Sequence, residues 1–373
     1  MSRSISKTAR ITRAVVVGLS SIAFALVPAS AQLSPTEGAV YTSTNSVDGN
    51  KVMVFHRAVD GTATFQQSIA TGGIGTGATL SNQGAVTLSD DERWLFVVNA
   101  GSNDLSVFRV LEDGLELTDI AATQGLTPVS VAQHDELVYV VNAGDDSVYG
   151  FRLRFDGQLV PIHGGRAYLA NSGSGAAQIG FGPNGRYLYV TGRDTQSIDG
   201  FRLNAKGTIV QQGVLSSNGA VPFGFAVGNR GQLFVSEGGG GIDGTGAVTS
   251  YRFESTGALT TISPSVDTTR SATCWVVLDP TRRLMFVSNT GSNSISSLAI
   301  GFDGELTLLD PDSATTGAGP LDMAITADGE FFYVLNEGVG EIGDYTIDAD
   351  GSLFGIPGSP GGIPAGASGL AAR

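Results

Sequence analysis

The sequence predicts an all-β fold: a seven-bladed β-propeller with four antiparallel strands per blade. Three observations carry that expectation. First, one strand–turn–strand phrase recurs, most clearly as Leu95-Phe-Val-Val-Asn-Ala-Gly-Ser-Asn-Asp-Leu-Ser-Val-Phe-Arg-Val110 and Val138-Tyr-Val-Val-Asn-Ala-Gly-Asp-Asp-Ser-Val-Tyr-Gly-Phe-Arg-Leu153. Its β-branched and aromatic runs, separated by a polar turn, are the signature of a hairpin. Second, every copy ends in a glycine turn, at Gly61, Gly114, Gly157, Gly207, Gly257, Gly304 and Gly351, with spacings of 53, 43, 50, 50, 47 and 47. A tight hairpin needs a residue that accepts positive φ, and Asp-Gly, present in five of the seven, is a favoured pair. Third, no helical periodicity separates the copies, so strands alone must build the repeat.

In chain order, the first element is a leader. Arg3, Lys7, Arg10 and Arg13 precede an apolar run from Ala14 to Val27, and Pro28-Ala-Ser-Ala31 supplies small residues for cleavage before Gln32. This pattern predicts a signal peptide over residues 1–31, an exported protein of periplasm or medium, and one propeller domain over 32–373. The apolar run is too short to span a bilayer, so no membrane span is expected after cleavage.

Within each repeat a short run precedes the hairpin phrase, as in Pro128-Val-Ser-Val-Ala132 and Pro320-Leu-Asp-Met-Ala-Ile325, and another follows the turn glycine. That makes four strands. The first repeat starts directly at Val40 and lacks its leading strand, while the tail Pro364 to Arg373 is an orphan. The tail is therefore expected to supply the innermost strand of blade one and close the ring, covering otherwise open edges. Gly238 to Gly246 holds six glycines in nine residues and reads as an enlarged loop.

Composition narrows the partners. Lys+Arg 21 against Asp+Glu 35 gives a net charge of −14, which disfavours nucleic acid and anionic lipid. Cys274 stands alone, so no internal disulfide forms, and it reads as a small buried hydrophobe. His56, His134 and His163 share no metal-binding spacing. No cofactor is expected. The Asp-rich turns at Gly144-Asp-Asp146 and Asp348-Ala-Asp350 are the places where calcium could sit, with solvated turns as the alternative. A monomer that takes a small-molecule ligand is expected.

At these repeats the chain resembles the lactonase-type seven-bladed propellers, the family of 6-phosphogluconolactonase and the 3-carboxymuconate lactonising enzymes. Gly182-Pro-Asn-Gly-Arg-Tyr-Leu-Tyr-Val190 and Ala327-Asp-Gly-Glu-Phe-Phe-Tyr-Val-Leu-Asn336 carry the likeness. The chain is also similar to YVTN-type surface propellers at Tyr189-Val-Thr-Gly192 and Phe286-Val-Ser-Asn289. The resemblance implies a base-activated water opening a ring ester while a cation holds the oxyanion, using inner-strand His and Arg and a Glu closing a second strand. The glutamate is present as Glu237; the Arg-His pair falls at Phe223 and Gly224, and the other histidine near Ala177.

The candidate site follows from these positions. Glu237 is the candidate base, with Arg193 or Arg270 as oxyanion partner; the alternatives are a solvated loop glutamate and, for Arg193, an exposed ion pair with Asp194. Asn99, Asn142, Asn289 and Asn336 end second strands, where they serve their own turns or line one face as ligand-binding amides. Asp322 alternates with its apolar neighbours Leu321 and Met323 and so faces the channel or a strand edge. Trp275 is a stacking surface or a blade-packing residue. The expected function is recognition, hydrolysis or isomerisation of a lactone or small carboxylated metabolite at the channel mouth. The rival is a non-catalytic platform for protein or glycan recognition.

Overall fold

Each repeat folds as a four-stranded antiparallel sheet, and seven such sheets form a ring. This computed structural model describes Met1 and residues 37–373. Beyond Met1, the expected signal peptide over residues 1–31 lies outside the described residues. The propeller lies within the unit Pro35–Arg373. From the channel outward, blade one takes Ser368–Ala372, Gly38–Ser43, Lys51–Arg57 and Ala63–Ala70. Blades two to seven take residues 86–122, 128–168, 176–216, 222–267, 273–315 and 320–355.

The C-terminal strand closes the ring as the sequence led us to expect. Ser368–Ala372 runs antiparallel to Gly38–Ser43, with Tyr41 opposite Ala371. Arg373 N donates to Ala39 O at 2.9 Å, and Arg57 Nε donates to Arg373 O at 2.9 Å.

Second strands are buried along nearly their whole length, and at every residue of Trp94–Asn99 and Phe331–Asn336. A neighbouring blade covers each of their faces, which is why they read as continuous apolar runs and not as alternation. Outer strands sit at the rim: Ala63–Ala70 is fully buried only at its first residue.

One device stitches successive blades. The phenols of Tyr139, Tyr189 and Tyr333 donate to the carbonyls of Gly207, Gly257 and Gly61 at 2.5, 2.8 and 2.7 Å. Each acceptor is the turn glycine of the next blade, and the third bond runs from blade seven to blade one. Such buried bonds contribute about 1 kcal/mol each. Gly61 answers to two constraints: its φ is +86°, and a Cβ there would collide with the Phe331 ring across the blade boundary.

Second strands end and inner strands begin on one face, hereafter the mouth face, where Pro222 lies opposite Glu237 and Pro320 opposite Asn336. The other face, the turn face, carries the turns between first and second strands and the seven glycine turns.

Candidate functional site

The mouth of the channel is occupied by the protein's own backbone. Residues 71–85 link blade one to Val86–Leu88, the inner strand of blade two, whereas links of four to seven residues join blades two through seven. This long segment crosses the centre of the ring as a strap. Leu80 N donates to Ser368 Oγ of blade one at 3.4 Å, and Asn82 Nδ2 donates to Val129 O of blade three. Gln83 N donates to Ala177 O of blade four at 3.0 Å. The Gln83 amide pairs with the blade-six backbone, donating to Val276 O at 2.7 Å and accepting from Val276 N at 3.0 Å.

The strap explains the residues found at the inner-strand positions. Ala177 is fully buried against it. A Cβ at Gly224 would collide with Gln83 Oε1, so residue 224 and the strap exclude one another for anything larger than glycine. Phe223 packs against Trp275 with ring centroids 4.7 Å apart and planes tilted by 55°, and Trp275 Nε1 donates to Asn82 O at 2.7 Å. Aromatic packing thus stands where the resemblance implies a cation and a histidine.

Three of the residues singled out from the sequence meet here. Arg193 lies over the Phe223 ring, 5.4 Å from its centroid, and its Nε donates to Gly175 O at 2.9 Å. Among the described residues it forms no ion pair with Asp194. Trp275 joins Phe223 to the strap. Asp322 is 3% exposed and accepts from the backbone N–H groups of Gly84 and Gly369, each at 3.3 Å. Burial pushes its carboxyl up to about 7, against the lowering pull of those hydrogen bonds.

The others are held inside their own blades. Glu237 is 1% exposed, not a solvated loop residue. Its Oε1 accepts from Gly219 N at 2.8 Å and Thr249 Oγ1 at 2.6 Å, and its Oε2 from Ser265 Oγ at 2.7 Å. It clamps the incoming link of blade five to that blade's outer strands. Asn99 does the equivalent in blade two, donating to Asp104 Oδ1 and Ser106 Oγ while accepting from Thr71 Oγ1 and Asn50 Nδ2. Asn289 donates to Ser294 and Ser296 and accepts from Thr273, and Asn142 donates to Ser147. Asn336 is buried without a hydrogen bond at either amide atom. These four asparagines do not line a face; they lie beneath the links that enter their blades.

Arg270 is also engaged. Its guanidinium forks onto Asp312, with Nε 2.7 Å from Oδ1 and Nη2 against Oδ2, and this pairing holds the Asp312 carboxyl below its usual range. Cys274 is half-buried, and desolvation pushes its thiol up to about 12, which makes it an inert packing residue. Among the described residues no three His, Cys, Asp or Glu side chains group as metal ligands, and no helix is long and apolar enough to cross a membrane.

Sequence reasoning missed the strap and with it Asn82, Gln83 and the role of Phe223. The signal was present: 53 residues separate Gly61 from Gly114, the longest of the six spacings, and the strap lies within that interval.

Known proteins place this architecture. The family described as lactonase, 7-bladed beta-propeller matches residues 31–165 and 154–239, more than half of the chain. No curated protein matches. A candidate 6-phosphogluconolactonase of Bacteroides fragilis is similar in structure, with 18% identity, TM-score 0.69, and coverage of 92% of this chain and 99% of its own. One from Bacteroides uniformis shares 19% identity at TM-score 0.70, covering 89% and 99%. The periplasmic gluconolactonase of Pseudomonas aeruginosa shares 17% identity at TM-score 0.67, covering 89% and 99%. At such identities these structures speak to the fold alone. With the family match over more than half its length and seven closed blades, the chain belongs to the seven-bladed lactonase propeller family, a membership that supports a lactonase-type function.

Proposed function

We propose that this protein is an exported lactonase-type propeller that recognises a lactone or small carboxylated metabolite at the channel mouth, with Arg193 as the anchoring cation. The observation that carries the reading is the state of that guanidinium. Only its Nε is engaged; its two terminal nitrogens make no hydrogen bond among the described residues, and the Phe223 ring backs it. A planar fork held by one bond and one aromatic face is preorganised for a carboxylate or a lactone carbonyl. The buried Phe223–Trp275 pair beneath it props that face of the guanidinium in place.

Ring opening requires a base in addition. Glu237 is the base that the family resemblance implies, with Arg193 or Arg270 standing in at the oxyanion for the inner-strand cation replaced here by Phe223. The three donors on Glu237 and the strap across the mouth favour the second reading, a non-catalytic platform for protein or glycan recognition. A panel of aldonolactones and aldonates separates the two. Binding is followed by calorimetry and ring opening by pH-stat. Arg193→Gln should weaken binding about tenfold; unchanged binding would remove Arg193 from the site. Loss of turnover in Glu237→Gln would support the hydrolytic assignment, whereas ligand binding by a wild-type protein with no turnover on any lactone supports the platform.

Export is part of the same reading, supported by the basic leader, the apolar run and the small residues before Gln32. N-terminal sequencing of the protein from its producing cell should begin at Gln32, and an intact Met1 would refute it.

A further inference from the structure

A cleft of about 960 Å³ opens on the turn face across blades two to four, on the opposite side of the ring from the mouth. Its origin is a short hairpin. In blade three, His134 pairs directly with Leu137, leaving two turn residues, Asp135 and Glu136. The corresponding turns of blades two and four, residues 89–93 and 182–186, have five each. The low hairpin between two taller ones leaves a notch, floored by Trp94, His134, Leu137 and Leu153.

The chemistry of the rim is asymmetric. Arg186 and Arg202 come from blade four, and Arg154 from the outer turn of blade three; Asp90 and Asp135 stand on the blade-two and blade-three turns. The Arg186 side chain is exposed and has no partner among the described residues, and Arg202 is held only by Nε donating to Gln211 Oε1 at 3.1 Å. The neighbouring charges are otherwise paired: Arg93 with Asp91 at 2.6 Å, Arg154 with Asp156 at 3.4 Å, and Glu136 with Arg152. Phe155 projects from the rim at 89% exposure, a large aromatic with nothing to pack on. Two accessible guanidiniums on the rim of one cleft, on a protein of net charge −14, form a local basic patch suited to a ligand anion.

We infer that this cleft binds an acidic oligosaccharide. Carboxylates meet the forks of Arg186 and Arg202. Hydroxyls meet the acceptors Asp90 and Asp135, and a sugar ring stacks on Phe155. The volume lies at the upper end of the range for a single small ligand, consistent with an extended one. The acidic half of the rim disfavours a polyanion such as nucleic acid, and the exposed aromatic is not needed by a simple inorganic anion.

The test uses the full exported chain and tetragalacturonate as probe, with maltotetraose and tetraglutamate as comparisons, read by calorimetry. Tetragalacturonate should bind and weaken as salt rises; maltotetraose and tetraglutamate should bind at least tenfold more weakly. Arg186→Ala and Arg202→Ala should each cost about tenfold in affinity, and Phe155→Ala about fivefold. Arg193→Gln should leave this binding unchanged, which keeps the outcome separate from the mouth proposal. These exposed substitutions leave the melting curve in place, which checks folding. No tetragalacturonate binding at millimolar concentration overturns the inference. So does tetraglutamate binding as tightly, or full affinity in the Arg186→Ala/Arg202→Ala double variant.

Discussion

Asp344 and Asp322 are carboxyls kept from water. Asp344, on the third strand of blade seven, accepts from Ala63 N of blade one at 2.9 Å through Oδ2, while Oδ1 has no partner. Burial, with Glu341 adding to it, pushes its carboxyl up to about 7, as burial does for Asp322. The folded protein therefore holds protons that the unfolded chain releases near pH 4. Each group's stabilising contribution is present in full below about pH 4 and is lost as pH rises toward about 7. Asp344→Asn keeps an acceptor for Ala63 N and has no charge to bury. Its stability, from urea unfolding between pH 4 and 8, should fall less steeply than wild type by up to about 1.4 kcal/mol per pH unit. Parallel curves would show that Asp344 ionises freely. The residue scale also shows where sequence reading fell short. The spacing that exposes Glu237 as an oddity among asparagines is visible in one dimension; the Gly219, Thr249 and Ser265 donors around it come from three separate segments and are not.

The strap and the blade-three hairpin are the two elements that depart from the repeat, and both are written in the turn spacings. The 53-residue interval holds the strap, and the 43-residue interval, the shortest, holds the hairpin that lacks three residues. The spacing gives the length of each departure but not its course, because what an insertion crosses depends on partners in blades far along the chain. Gln83 is the residue that fixes that course. Gln83→Ala would leave both the N–H and the C=O of Val276 without their side-chain partners. The cost should be about 1–3 kcal/mol in urea unfolding, with faster proteolytic cutting within residues 71–85. An unchanged cutting rate would mean that the strap is held without Gln83.

Over the whole molecule, the repeat made the blade number, the strand number and the closure legible, since each blade repeats one hydrophobic pattern and one turn. The family position of the chain followed from the same phrases. What the mouth contains was not legible, because the ring brings seven inner strands together from across the chain. Closure itself is open to a direct test. Leu370 and Ala371 are core residues, and Ser368–Ala372 supplies a whole edge of hydrogen bonds to blade one. Truncation after Ala367 should lower stability by several kcal/mol in one cooperative transition, read by calorimetry. A melting profile equal to wild type would show that the tail is dispensable.

That late-arriving strand also sets the order of events during synthesis. The residues that complete blade one, Ser368–Ala372, are made after those of all the other blades, so the earliest-made sheet must wait, unfinished, while six others are synthesised. The native ring can therefore lock only once the whole propeller segment has been made, and until then blade one presents an open edge.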